Sequence, residues 1–234
     1  MSLQFERYEV LTFDCYGTLI DWETGILTAL TPLLAARNIN LDERQILELF
    51  AEFEPELELR SEYMTYREVL RGVIKKFGDR FNFAPSEEEL HSLPESIKNW
   101  QPFSDTVEAL KLLKQRFKLG ILSNIDDDLF ADSAQYLQVK FDWIITAKQA
   151  KSYKPSHNNF KLAFERIGLP TDKILHVAQS IYHDIVPARS LGLSTVWVNR
   201  RIEKEGFGAT KAADEKPDLE VPNLQTLAEI ILGK

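Results

Sequence analysis

The sequence predicts an α/β fold, a doubly wound parallel sheet interrupted by a helical insert, on three observations. Short apolar, β-rich runs recur along the chain, helical patterns separate most of them, and one long stretch, residues 22–100, shows helical periodicity alone. Parallel neighbours need a crossover and a helix is the usual one, so this alternation yields a Rossmann-like core. With 234 residues, 44% of them hydrophobic, the chain can bury such a core together with a modest insert.

The first run, Tyr8 to Phe13, ends in Asp14, and Gly17 and Thr18 follow within four residues, the pattern of a buried strand feeding a functional turn. The insert begins next. Its apolar positions Ile26, Leu30, Leu33 and Leu34, then Ile46, Leu47, Phe50 and Phe53, predict four helices over 23–37, 42–58, 62–77 and 86–98, with Pro55 bending or splitting the second. The chain returns around Gln101-Pro102-Phe103. Four further strands are expected at Lys118 to Leu122, Trp143 to Thr146, Ile174 to Ala178 and Thr195 to Val198, with helices over 104–116, 126–138, 156–167, 184–191 and 223–232. The expected organisation is a core of residues 1–21 and 101–234 and a helical cap of residues 22–100, set over the C-terminal strand ends where open α/β sheets bind ligands. The small, polar stretch Gly206 to Lys216 reads as a mobile loop.

Composition narrows the function. A formal net charge of -8 repels nucleic-acid phosphates and anionic lipid, so neither is an expected partner. The lone Cys15 cannot form an intrachain disulfide and fits a reducing, cytoplasmic setting. The N-terminus lacks the apolar region of a signal peptide, and no run approaches the roughly 18 apolar residues of a membrane span.

Asp14 stands at the tip of the first strand, in Phe13-Asp14-Cys15-Tyr16-Gly17-Thr18-Leu19. A carboxylate there, followed by a glycine that lets backbone N–H groups turn inward, is placed as a nucleophile facing a small anion nest. A turn-capping role is the plainer alternative. Ser123-Asn124 follows the second strand, Lys154-Pro155 precedes a helical pattern with Pro155 at its first position, and Asp184 closes Gln179-Ser180-Ile181-Tyr182-His183-Asp184 after the fourth strand.

These four segments, in this order and over nearly the whole chain, resemble the haloacid dehalogenase superfamily and within it the type II 2-haloacid dehalogenases. Phosphatases of that superfamily carry a second acid two residues after the nucleophile; here Tyr16 stands at that place, as in the dehalogenase branch. The resemblance implies catalytic roles for Asp14, Thr18, Ser123, Asn124, Lys154 and Asp184: an ester forms on Asp14, Asp184 orients water with Lys154 and Asn124, and Thr18 with backbone donors stabilises the oxyanion. Cys15, Tyr16, Gly17, Trp22 and Ser180 are expected around the substrate, a small anionic organic acid, with a homodimer as the assembly common in the family. No cofactor is needed to expel a halide. Mg²⁺ remains open, with Asp14, Asp184 and the carbonyl of Tyr16 as ligands, although Gln179 replaces the first acid of the fourth motif. The alternatives are a Mg²⁺-dependent phosphatase of a small metabolite and a non-catalytic member that binds an anion or a partner.

The dehalogenases hold the departing halide with an arginine from the early cap, and Arg44, Arg60 and Arg67 are the candidates without a motif to choose among them. The neighbouring run of Glu52, Glu54, Glu56, Glu58 and Glu62 reads as a solvated helix face; facing the cleft, it would oppose a carboxylate substrate. Trp22 is a candidate pocket wall or a packing residue. His91, His157 and His176 lack metal spacing.

Overall fold

In the computed structural model, which describes residues 3–202 and 204–233, six strands form one parallel sheet in the order β3-β2-β1-β4-β5-β6. Residues 1, 2 and 234 of the expected core, and Glu203, lie outside the described residues. The strands are β1 (Val10–Phe13), β2 (Lys118–Ser123), β3 (Trp143–Thr146), β4 (Ile174–Ala178), β5 (Ser194–Val198) and β6 (Leu219–Val221). Strand β6 was not among the expected runs: three residues with an exposed Glu220 in the middle give too little periodicity to be seen.

Side-chain alternation divides the core into two layers. Leu11 and Phe13 of β1 face one side and pack with α5 (Thr106–Lys114), α6 (Asp127–Leu137) and α10 (Leu224–Leu232). Val10 faces the other, with Phe160 and Ala163 of α8 (His157–Ile167) and Ala188 of α9 (Val186–Ser190). A four-residue helix, α7 (Ala147–Ala150), also escaped the sequence pattern. The helix expected over 184–191 is a π-turn, Ile181–Ile185, running into α9.

Between β1 and α5 the chain makes α1 (Trp22–Ala35), α2 (Glu43–Glu58), α3 (Tyr66–Phe81) and α4 (Glu87–Ser96), followed by a short 3₁₀ turn. Helix α3 starts four residues later than expected because Thr65 and Glu68 form its capping box, and ends four residues later, at Asn82 in the left-handed region; Asp42 with Gln45 and Ser86 with Glu89 form the boxes of α2 and α4, at about 1 kcal/mol for each cap. Pro55 lies inside a continuous α2 rather than splitting it. No helix among the described residues is long and apolar enough to cross a membrane.

The two crossings between core and insertion are fastened to each other. Ile20 bridges Pro102, Asp21 N–H donates to the Gln101 carbonyl at 2.9 Å, and the Trp100 ring meets Tyr16 edge-on at 5.8 Å. Gly25 of α1 lets this junction close, since a Cβ there would fall inside the van der Waals surface of the Trp100 indole. Gly25→Ala should therefore lower stability by about 1–3 kcal/mol despite the better helix propensity of alanine, read as a lower urea midpoint.

Candidate active site

Strand order reverses between β1 and β4, and open α/β sheets bind ligands in the crevice outside such a point. Asp14 follows β1 there, buried at 6% exposure, with its N–H donating to the Val177 carbonyl at 3.2 Å. Thr18 Oγ1 donates to Asp14 Oδ2 at 2.7 Å and itself accepts from the Gln179 N–H at 2.9 Å. The turn between them needs Gly17: its φ is +90°, and a Cβ would lie 2.9 Å from Trp22 Nε1 and 3.1 Å from Gln179 Oε1.

Lys154 completes the centre. Its Nζ is 2.9 Å from Asp14 Oδ1, 2.6 Å from Asp184 Oδ1 and 2.9 Å from the Leu122 carbonyl, so all three ammonium protons are taken. Its helix, α8, starts at His157 with Ser156 as the capping residue; Pro155 precedes the helix instead of opening it, and Lys154 is held in the loop before it. Asn124 does the holding: its Oδ1 accepts from the Lys154 N–H at 2.7 Å and its Nδ2 donates to the Lys154 carbonyl at 3.1 Å. The amide expected beside the substrate and the hydrolytic water thus has both ends on the Lys154 backbone. Ser123 lies next to it in the cavity wall.

Behind Asp184 runs a buried chain that the sequence pattern had not singled out. His176 Nε2 meets Asp184 Oδ1 at 2.9 Å, and His176 Nδ1 meets Thr12 Oγ1 at 2.9 Å, both from inward positions of β4 and β1. With Nε2–H donating to the carboxylate, Nδ1 accepts from the threonine hydroxyl. Asp184 Oδ2 is buried without a partner among the described residues.

Charge follows geometry. Burial raises the Asp14 carboxyl above its ordinary value against the pull of Lys154, and the charge of Asp184 adds to the rise. Burial acts on Asp184 too, but Lys154 and His176 outweigh it and hold that carboxyl low. Lys154 is desolvated, yet the two carboxylates keep its ammonium above the usual lysine value.

The remaining expected residues divide. Trp22 is both wall and packing residue, lining the cavity and meeting Phe50 edge-on at 5.7 Å. Ser180 lines it and caps the π-turn, with Oγ 3.2 Å from His183 Nδ1 and accepting from the His183 N–H at 3.0 Å. Tyr16 lines it, but its hydroxyl is 2.8 Å from Ser133 Oγ in α6. Cys15, expected near substrate, turns its side chain into the apolar core, because adjacent residues after a strand point to opposite sides.

The insertion supplies the other wall. Glu52, Glu56 and Glu62 are exposed, but Glu54, Glu58 and Tyr66 line the cavity, so the reading of the acidic run as a solvated face fails at positions 54 and 58. A signal was available: 47, 50, 54 and 57 continue one helical face, and 58 is one turn beyond 54. None of the candidate arginines reaches the cavity. Arg44 and Arg60 are exposed, the former 3.6 Å from Glu48, and Arg67 pairs with Glu95 and Asp128. The stretch expected as a mobile loop packs over one edge: Ala209 and Thr210 are buried, and Thr210 lines the cavity with its hydroxyl 3.4 Å from Gln179 Oε1. The cavity is open to solvent on one side and small, with a volume of about 30 Å³.

For Mg²⁺ the centre offers Asp14, Asp184 and the Tyr16 carbonyl. Lys154 already spans both carboxylates and Asp184 Oδ1 is shared with His176; among the described residues no group of three or more His, Cys, Asp or Glu is arranged to hold a metal. A Mg²⁺ held here would take Asp184 Oδ2, the one oxygen of the carboxylate pair without a partner among the described residues, and would share Asp14 with Lys154 and Thr18.

Removing the ammonium leaves two buried carboxylates facing each other. Lys154→Met should cost about 3–5 kcal/mol at pH 7. Both carboxyls then titrate above their unfolded values, the folded state binds the extra protons, and the deficit should shrink on lowering the pH toward the carboxylate range; urea unfolding at pH 7 and pH 4.5 checks the sign.

Comparison with known proteins gives a consistent result. The chain is 25% identical over 230 residues to haloacetate dehalogenase H-2 of Moraxella sp. (strain B), covering 97% of this chain and 99% of that one. It is 24% identical over 226 residues to an (S)-2-haloacid dehalogenase of Pseudomonas putida, covering 95% and 96%. The solved L-2-haloacid dehalogenase of Xanthobacter autotrophicus with chloropropionic acid covalently bound shares the fold with a TM-score of 0.80 at 22% identity, over 97% of this chain and 99% of that one. The haloacid dehalogenase-like hydrolase family model matches residues 8–192, a span that holds Asp14, Thr18, Lys154 and Asp184, and the chain belongs to that family of hydrolases.

Proposed function

We propose that this hydrolase cleaves the carbon–halogen bond of a small 2-haloacid through an ester on Asp14, with residues 22–100 serving as a cap domain over a core of residues 1–21 and 101–234. The observation that carries this reading is a strand-end carboxylate held by one ammonium and one hydroxyl, with no acid two residues on: Tyr16 stands there, its hydroxyl engaged with Ser133. Phosphate ester cleavage wants a proton donor at that place for the departing alkoxide. A halide leaves with its bonding pair and needs none.

In the first step an Asp14 oxygen attacks the halogen-bearing carbon in line, forming the ester as halide departs. Whichever oxygen bonds to carbon, the other keeps a donor, Lys154 for Oδ1 or Thr18 for Oδ2. In the second step water attacks the Asp14 carboxyl carbon. Its proton passes to Asp184 Oδ2, the buried oxygen without a protein partner, and the same donors stabilise the oxyanion. Collapse expels the alkoxide of the 2-hydroxy acid, which takes up the proton from Asp184, and Asp14, left as the carboxylic acid, gives its remaining proton to solvent to become the carboxylate again. Ser123, Trp22, Ser180 and Tyr16 surround the substrate, while Gly17, absent from the cavity lining, shapes the turn behind them; Asn124 acts on the reaction by positioning Lys154.

Asp14→Asn should abolish halide release from 2-chloropropionate while leaving the thermal transition in place, and wild-type-like release from it removes Asp14 from the mechanism. Asp184→Asn should slow ester hydrolysis so that an acyl adduct on the protein appears by mass spectrometry after rapid quench. Orthophosphate release that depends on Mg²⁺, with no halide from any haloacid, refutes the reading.

A further inference from the structure

We propose that Glu54 and Glu58 form a proton-gated wall of the substrate cavity: the pair admits an anionic substrate while both carboxyls are neutral and turns it away once one of them takes a charge. The inference rests on the displacement reading of Asp14 and names the charge that the same cavity accepts.

Both side chains are 3% exposed, one helical turn apart on α2, on the wall opposite Asp14. Lys154 is the sole cation among the residues lining the cavity, and Asp14 and Asp184 already claim it. Tyr66 Oη donates to Glu54 Oε1 at 2.5 Å, while Asn124 Nδ2 stands 3.4 and 3.5 Å from the Glu58 oxygens, a weak contact. His183 Nε2 is buried in the cavity wall without a partner among the described residues, 3.9 Å from Glu58 Oε2. That gap is too long for a hydrogen bond and suits an intervening ligand atom. Apart from Lys154, whose ammonium protons are already taken, the groups facing the pair are acceptors or neutral donors, and on this wall a carboxyl that keeps its proton is the donor available to an anion.

Two desolvated carboxyls side by side do not both ionise readily. Burial pushes Glu54 up to about 8 and, with the charge of Glu54 adding, lifts Glu58 well above the carboxylate range. A neutral carboxyl offers an O–H to a substrate anion; a buried carboxylate repels it. The other titratable groups facing the pair are Asp14, Tyr66, Tyr153, Lys154 and His183. Burial holds His183 down at about 4, the two tyrosines are raised above their ordinary value, and Lys154 is raised as well, so these four keep their charge across pH 7 to 9.

Propionate and propionamide, which lack halogen and differ by one charge, test the wall by calorimetric binding to the full chain at pH 7 and pH 9. The propionate Kd should rise about tenfold over that interval, as a proton of pKa near 8 is lost, and the propionamide Kd should hold within about twofold. In Glu54→Gln/Glu58→Gln, whose amides are neutral at either pH, the rise should disappear. A wild-type propionate-to-propionamide ratio that is equal at the two pH values overturns the proposal, as does failure of propionate to bind at pH 7. A double variant that keeps the full wild-type response also overturns it, by placing the titration on Asp14 or elsewhere; if that variant does not fold, the wild-type ratio decides alone. Halide release from chloroacetate is scored separately: gated binding without halide keeps the wall and removes the reaction, and halide release with a flat ratio does the reverse.

Discussion

The buried ammonium of Lys154 is the interaction on which the rest of the centre depends. At 1% exposure it must be paired, and its partners come from three places: Asp14 after β1, the Leu122 carbonyl within β2, and Asp184 after β4. Satisfying one charge therefore holds the C-terminal ends of three strands in register. The demand also works in reverse, because Asp14 and Asp184 would repel each other without it. Asn124 anchors the lysine backbone, and the Thr12–His176 pair of β1 and β4 anchors Asp184, so both partners of the centre are held by buried hydrogen bonds.

The two walls of the cavity obey different electrostatics. On the core side every charge has an opposite charge within hydrogen-bond reach. On the insertion side two carboxyls are buried with a tyrosine hydroxyl and a distant amide as their company. A low-dielectric cavity magnifies such a difference, since the same separation counts for several times more there than in water. The likeness to known dehalogenases extends over nearly the whole chain, while the wall opposite Asp14 belongs to the insertion, and function resides in such grafted surfaces more than in the fold beneath.

Closure is equally physical. The crossings at Ile20–Asp21 and Gln101–Pro102 are bonded to one another and packed under Trp100, so the insertion is carried on a stiff double stem. Arg201 reaches Glu23 at 2.5 Å and the Ala209 N–H donates to the same carboxylate at 3.3 Å, drawing the stretch after β5 against α1. A small, polar composition suggested mobility for that stretch; Ala209 and Thr210 are buried against the cavity edge, while Gly206, Phe207 and Lys211 on either side of them are exposed.

The sequence by itself determined the layer architecture, the five longer strands, the helical insertion and the identity of the core residues Asp14, Thr18, Lys154 and Asp184, because strand periodicity and strand-end motifs are local properties of the chain. Strand β6 and helix α7 were too short to leave a periodic signal, and the start of α3 shifted because a capping box outweighed the apolar pattern. Only the tertiary structure decided that Asn124 serves the lysine backbone, that His176 backs Asp184, that Cys15 turns away from the substrate, and that Glu54 and Glu58 face inward. Each of these depends on a partner far away in the chain, and spacing along a single helix or strand says which residues share a face, not what that face will meet.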